Sequence, residues 1–561
     1  MVSRKGKMRV RETGGSAVVP NEVSADMILW GGNIMTMDPK RPGARAAAIK
    51  DGRFLKVGSE TEVKALAGKN TKMIALRERT VTPGFIDSHQ HLSQYGTDLL
   101  QIDCSPRRCK AIAQIQQAVL KETKRRPAGE WIRGVGYDDT KTQDQRILTR
   151  RDLDEVSPDH PVFIHHVSGH WAVVNSRALE IGGIREETPN PPGGVYGRDP
   201  HTGRLNGILY EQAEFAYVFE GTNSQLPIMP AFSLKERMKG IRLASDRYLA
   251  SGITGVHDAL VSAQTLETYQ ESFKSGELKL RVYMLISVEY LPHLPALNLR
   301  TGFGNEWLKI GGVKILADGA IAGRTAYLSE PYIGSEERGI LAVESEETLH
   351  ELIRKGHEAG FQVCVHANGD RVIEMALNGF EKALIQLPRK DHRHRLEHCT
   401  VVTPEILKRI RKLKLLVTPF GSYIHHHGEK MIPYYGARRV EMMFAHRSFL
   451  DYGIGVSGAS DNPCGPYEPL LAIQSCVTRK SAAGEVLGAK QRITVEEAIG
   501  LYTMASAYAS FEENFKGSIT PGKLADLVVL GEDPRRVNPD EIKDIPVEMT
   551  IVGGEVKYRP G

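Results

Sequence analysis

Short apolar runs recur through the middle of the chain, each bounded by turn residues and several preceded by a helical pattern, and this alternation limits the fold more than any other feature. The runs are Gly252 to Asp258 (GITGVHD), Trp307 to Asp318 (WLKIGGVKILAD), Gly360 to His366 (GFQVCVH), Arg393 to His398 (RHRLEH), Leu413 to Thr418 (LKLLVT) and Gly453 to Ser460 (GIGVSGAS). Glu347 to His357 and Thr403 to Lys412 are helical stretches between them. Strands alternating with helices make βαβ units and a parallel sheet, and this many predict an α/β fold of the closed (β/α)8 TIM type. Such a barrel takes about 250 residues. The segment 81–514 is longer, so an inserted subdomain is expected at approximately 125–225, where Gly/Pro-rich loops such as Pro189 to Gly197 (PNPPGGVYG) break the alternation. The chain ends read differently: Asp26 to Thr36, Ala46 to Gly58, Ala525 to Leu530 and Glu548 to Tyr558 are strand-like and separated by Gly turns. Because short sheets need a partner to bury one face, residues 25–80 and 515–561 are expected to form one small composite β-sandwich domain.

Composition excludes several classes. The 561 residues include 73 Lys or Arg and 68 Asp or Glu, a formal charge of +5, unlike a polybasic nucleic-acid binder or an acidic disordered chain. Six cysteines are too few for a disulfide scaffold in so long a chain, and Cys104 and Cys109 lack the spacing of a zinc knuckle. Arg4, Lys5, Lys7, Arg9 and Arg11 make residues 1–24 a flexible basic arm. No apolar run of signal length follows it, and nowhere do about 18 apolar residues stand in a row. The expected compartment is the cytoplasm, with a small-molecule substrate and neither nucleic acid nor membrane as partner.

The residues that carry chemistry sit at the ends of the runs. Thr82 to Gln94 reads TPGFIDSHQHLSQ, and in an extended backbone His89 and His91 point to the same face, able to converge on one cation. Lys314 lies inside the apolar strand GVKILADG, in phase with Leu316 and Asp318. A charged, unpaired lysine inside a barrel is costly, so it is either paired, with Asp318 the nearest candidate, or carboxylated by CO2 to an anionic ligand able to bridge two cations. His366 ends QVCVH and His398 ends RLEH; each is a ligand or a hydrogen-bonded core histidine. Asp461 closes GVSGASD and is a ligand or a turn residue. The joint order, HxH, Lys, His, His, Asp on successive strands, is far more specific than any member.

With these motifs the chain resembles the amidohydrolase superfamily, in particular the amidohydrolase-3 group of YtcJ-like and N-substituted formamide deformylase-like proteins. The resemblance runs from about residue 25 to 559 and rests on VTPGFIDSHQH, GHWAVVNSRAL, VKILADGAIAGRTAYL, VHANGDRVIEMAL, RLEHCTVV, SGASDNPCGPYEPL and GSITPGKLADLVVL. It implies a metal-binding barrel bracketed by a β-sandwich. His89 and His91 would hold a first metal completed by Asp461, His366 and His398 a second, and Lys314 would bridge as its carbamate. The superfamily uses one or two ions. Zinc suits imidazole and carboxylate, and iron, nickel and manganese accept similar ligands. The resemblance also implies a homo-oligomer, a dimer.

The expected chemistry is hydrolysis of a non-peptide C–N bond in an N-acyl, N-formyl or cyclic amide. Zinc-bound water ionises near neutral pH, and Asp461 can take the proton and return it to the departing nitrogen. His170 in SGHWAVVNS and His257 in GVHDA are candidate donors to the developing oxyanion; His257 is otherwise a core residue bonded to Asp258 or backbone. Arg324, Asp318 and Trp171 are candidate substrate contacts: Arg324 for an anionic group, Trp171 with Trp131 and Tyr137 as an apolar wall, and core or solvent-facing roles are the alternatives. His425, His426 and His427 read as pocket rim or surface, and Cys464 as a loop thiol. Ester hydrolysis or decarboxylation on the same metal barrel, or a non-catalytic scaffold that keeps the fold, are the rival functions.

Overall fold

A computed structural model describes residues 24–169, 171–191, 194–218 and 227–561; His170 and all but the last residue of the basic arm lie outside the described residues. At its centre is a parallel sheet of eight strands: β1 (Phe85–Gln90), β2 (Ile253–Val261), β3 (Arg281–Ser287), β4 (Leu308–Leu316), β5 (Gln362–Ala367), β6 (Arg395–His398), β7 (Leu416–Thr418) and β8 (Gly455–Val456). The strands follow one another in sheet order. The sheet curls so that chain leaving β8 reaches β1: Ser88 N–H donates to Gly458 O (2.9 Å), Asp461 N–H to His89 O (2.8 Å) and His91 N–H to Asn462 O (2.8 Å). This is a mixed α/β fold built on a curled parallel sheet.

The sequence accounts for the strands in part. Parallel strands covered on both faces are near-continuous apolar runs, and all seven residues of β3 (RVYMLIS) are buried. The sequence reading passes over β3 because an apolar run without turn residues inside it fits a strand or a buried helix equally well. The helices that return the chain are capped where expected: Ser345 accepts from Thr348 N–H before Glu346–Glu358, and Thr403 accepts from Ile406 N–H before Pro404–Leu413.

Two further sheets flank this one. Strands from both chain ends pair in one eight-stranded sheet, in which Thr80–Pro83 runs antiparallel to Leu527–Leu530 with Val81 opposite Val529. A six-stranded mixed sheet joins Ile102–Asp103, Ile132–Tyr137, Val162–His166, Trp171–Val174, Leu205–Glu211 and Gly194–Arg198. Among the described residues, no helix is long and apolar enough to cross a membrane.

One close approach positions the chain just beyond β1. Helix α1 (Leu92–Asp98) begins immediately after His91 and crosses α2 (Leu234–Ala250) at a pair of glycines. A Cβ on Gly240 would lie 2.6 Å from Gly96 C and O, and one on Gly96 would lie 2.7 Å from Gly240 C. The obstacle is backbone on both sides and cannot swing away. Gly240→Ala is therefore expected to destabilise the protein by about 1–3 kcal/mol through overpacking, read as a lower urea midpoint; an unchanged midpoint would show that the two helices can separate freely.

Candidate metal centre

The C-terminal ends of the parallel strands bring together residues distant in sequence. His89 is fully buried at the end of β1, and its Nδ1 lies 2.6 Å from Glu397 Oε2 on β6. Its Nε2 is 3.2 Å from Lys314 Nζ and 3.4 Å from Asp461 Oδ1. His91 Nε2 is 3.3 Å from the same Asp461 oxygen, while its Nδ1 is 3.1 Å from Ala259 O. His89 Nδ1–H donated to the carboxylate and His91 Nδ1–H donated to the carbonyl leave both Nε2 lone pairs aimed at Asp461. His398 closes the group, with ring centroids 4.7 Å from His89 and 4.4 Å from His366.

The local fold explains the aim. On β6, Arg395 and Glu397 share one face by strand alternation, and Arg395 Nη2 donates to Glu397 Oε2 at 2.9 Å. His398 (φ +69°), Cys399 (φ +46°) and Asp461 (φ +56°) adopt left-handed backbone, uncommon for such residues and concentrated at functional sites. Asp87 fastens the two sides, its Oδ1 accepting from His89 N–H (3.2 Å) and Ser460 N–H (3.1 Å).

Electrostatics favour cation binding. Burial, with Lys314 adding to it, lowers His89 to about 4 and His366 to about 3, so both imidazoles are neutral. Burial likewise drives His398 well below the ordinary histidine range. Burial alone would raise Glu397, but Arg395 and His89 bring it down to about 2. Burial opposes the charge of Asp461 too, and the neighbouring His91, His89 and Lys314 still hold its pKa below the usual value. The Lys314 ammonium is destabilised by burial, partly offset by Glu397 and Asp461.

These residues fit a divalent cation. His89, His91 and Asp461 offer three ligand atoms within 4.8 Å of one another. Both ring nitrogens of His398 are buried and, among the described residues, meet no hydrogen-bond partner, a demand that buried polar groups ordinarily meet. The donor set is imidazole and carboxylate, the ligand types that suit divalent transition metals. A second group, Asp138, Asp139 and His166, also brings ligand-type atoms within 4.8 Å, but His166 is engaged by Asp139 Oδ1 (3.2 Å) and Ser168 Oγ (2.7 Å).

The remaining candidates take other positions. Asp318 does not pair with Lys314: its carboxylate accepts from the backbone N–H groups of Tyr327, Asn368 and Gly369 at 2.9–3.0 Å. Burial nevertheless raises it to about 7, and Oδ1 lies 3.4 Å from His366 Nε2. His257 is fully buried, with Arg395 Nη1 3.0 Å from its Nδ1, placing it deeper in the sheet than the histidine cluster. Arg324 lies over the rings of Tyr332 and Tyr434, 5.4 Å from each centroid. Trp171 stacks on His166 at 4.1 Å and meets Tyr137 edge-on within the six-stranded sheet. His427 is set edge-on to Tyr423 (4.9 Å), Tyr423 stacks on Phe420 (3.7 Å), and Phe420 stacks on His398 (4.2 Å). Cys464 is exposed, and its N–H donates to Asp461 O (2.8 Å).

Sequence reasoning missed Glu397 and Tyr423, whose hydroxyl lies 3.4 Å from Asp461 Oδ2. A signal existed for the first: RLEH places two opposite charges in phase on a short strand otherwise destined for burial. Replacing Glu397 by Gln leaves Arg395 without its counter-charge and loosens His89. Loss of such an orienting partner typically costs 10–100-fold in metal affinity, and breaking a buried ion pair about 3–5 kcal/mol in stability. Metal content of folded protein dialysed against buffered divalent metal, and the urea midpoint, check the two effects separately; wild-type metal content would remove Glu397 from the centre.

Comparisons with known proteins point to one family. The model of the amidohydrolase family matches residues 72–558. The Bacillus subtilis (strain 168) protein named as amidohydrolase YtcJ is 32% identical over 94% of this chain and 99% of its own length. The N-substituted formamide deformylase of Arthrobacter pascens is 29% identical over 95% of this chain and 98% of its own. The crystal structure of an uncharacterized metal-dependent hydrolase from Pyrococcus horikoshii OT3 superposes with a TM-score of 0.75 at 25% identity, covering 91% of this chain and 99% of that one.

Proposed function

The chain belongs to the amidohydrolase family, and from that premise we propose that it is a metal-dependent hydrolase of a non-peptide C–N bond in an N-formyl, N-acyl or cyclic amide. The observation that carries the proposal is the convergence of His89, His91 and Asp461 within 4.8 Å, beside a buried His398 whose ring nitrogens lack partners among the described residues. The N-formyl class has the support of a relative named as a formamide deformylase and similar along nearly its whole length.

In this reading His89, His91 and Asp461 hold one cation, and His366 and His398 line a second position or complete the first. Zinc matches the ligands best. A divalent cation there supplies Lewis-acid polarisation of a carbonyl and a water ionising near pH 7. Lys314 is proposed to be carboxylated: it is buried beside His89 Nε2, and burial favours the neutral amine that reacts with CO2. Asp461 presents Oδ1 to the two histidines and Oδ2 to Tyr423. It accepts a proton from the attacking water and returns it to the departing nitrogen, which leaves as a neutral amine. Glu397 and Ala259 O fix the imidazoles and take no part in the proton transfer.

The organisation proposed around this centre is a catalytic barrel over 81–514, with the six-stranded sheet as its inserted subdomain and residues 25–80 and 515–561 as a composite β-sandwich domain. Two measurements test the reading. N-substituted formamides, N-acyl amino acids and cyclic amides are screened for amine release with and without prior chelation; amine release lost on chelation and restored by zinc is expected, and release of alcohol or CO2 alone would overturn the C–N assignment. Asp461→Asn should lower kcat by at least about 100-fold, the lower range for a general acid–base group, while metal remains partly bound; full activity would remove the proton-transfer role.

A further inference from the structure

Leu316 ends β4 in phase with Lys314 and pairs in register with His366 on β5. Register neighbours on parallel strands point to the same face, so Leu316 stands beside the His366 imidazole, one in-phase step beyond Lys314 toward the C-terminal end of the sheet. The exposures differ sharply: Lys314 is 1% exposed and Leu316 44%. The lysine is sealed beneath the centre, and the leucine opens into solvent at its mouth. A leucine left in water at this place forgoes about 25 cal/mol for each Å2 of apolar surface that an apolar ligand would cover.

Two observations extend this. Leu260, 39% exposed and in left-handed backbone (φ +59°), follows Ala259, whose carbonyl meets His91 Nδ1. Cationic side chains in direct contact with the centre are few among the described residues. Among the described residues, Lys314 is the one lysine or arginine in hydrogen-bond contact with the four histidines or Asp461, and Arg324 lies against tyrosine rings.

We infer that the group flanking the scissile bond is uncharged and apolar, and that Leu316 selects it. This rests on the amide-hydrolase reading and names the substrate class for it. The test uses two series lengthened one methylene at a time, on nitrogen (N-alkylformamides, methyl to hexyl) or on the acyl carbon (N-methylalkanamides). In the wild-type holoenzyme kcat/KM is expected to rise about fourfold per methylene along at least one series. Leu316→Asn flattens that slope and Leu316→Met retains it, a pattern that a general loss of folding would not give. Equal slopes in wild type and Leu316→Asn overturn the inference, as does faster cleavage of N-formylphenylalanine than of N-(2-phenylethyl)formamide, which lacks the carboxylate. If no amide of either series is cleaved, the hydrolase reading fails by itself. Equilibrium binding of the same amides to the same protein then decides the inference: affinity that climbs with chain length in wild type but not in Leu316→Asn sustains it, and affinity indifferent to chain length overturns it.

Discussion

The centre depends on a buried chain of charge that runs from Arg395 through Glu397 to His89, three side chains without solvent exposure. A guanidinium and a carboxylate withdrawn from water need each other, because either alone would carry an uncompensated desolvation cost. Once Glu397 is fixed by Arg395, its Oε2 lies 2.6 Å from His89 Nδ1 and dictates which imidazole nitrogen carries the proton. The lone pair is thereby turned toward Asp461 and Lys314. Orientation of the innermost histidine is thus decided two groups away, by a pair that alternation along β6 sets on one face.

Holding that chain in place requires the two ends of the polypeptide. Thr80–Pro83 lies in the terminal sheet beside Leu527–Leu530 and leads almost directly into β1, so the strand bearing His89 is anchored from outside the parallel sheet. Asp526, which precedes that C-terminal strand, takes Arg281 of β3 in a two-point ion pair at 2.6 and 2.9 Å. The glycine crossing of α1 and α2 fixes the chain on the other side of His91. The HxH motif is consequently clamped from both directions, and Asp461, beyond β8, is tied to it by its own N–H donated to His89 O.

Much of this was legible because barrel chemistry sits at strand ends, where apolar runs stop abruptly at a polar residue. His89, His91, His366, His398 and Asp461 each announce themselves in that way, Lys314 does so as a charge inside an apolar run, and the structure gathers them. Other features leave no such mark. β3 ends in Ser287, with no His, Asp or Glu to mark its end and no internal turn, so its apolar run was ambiguous between strand and helix. The six-stranded sheet uses short strands separated by Gly and Pro, which read as interruption instead of architecture. Of the two readings the sequence left open for Lys314, pairing with Asp318 is not realised: in-phase spacing brings the two close along the strand, whereas three backbone N–H groups from two other segments compete for the carboxylate and win. Such non-local hydrogen bonding is invisible to periodicity.

The contrast between the floor and the mouth of the centre has a physical logic. The floor holds neutral imidazoles and carboxylates kept ionised by specific partners, a set that needs no deprotonation when a cation arrives. Its interactions are weakened wherever water has access, because attraction between charges scales inversely with the local dielectric. Leu316 presents aliphatic surface at the open side, and apolar substrate atoms placed there would keep water from the centre. Apolar recognition and charge chemistry therefore reinforce one another: the contact that chooses the substrate also dries the site in which its bond is broken. A charged flanking group would instead bring its own hydration shell to the mouth, and giving up that shell opposes its binding.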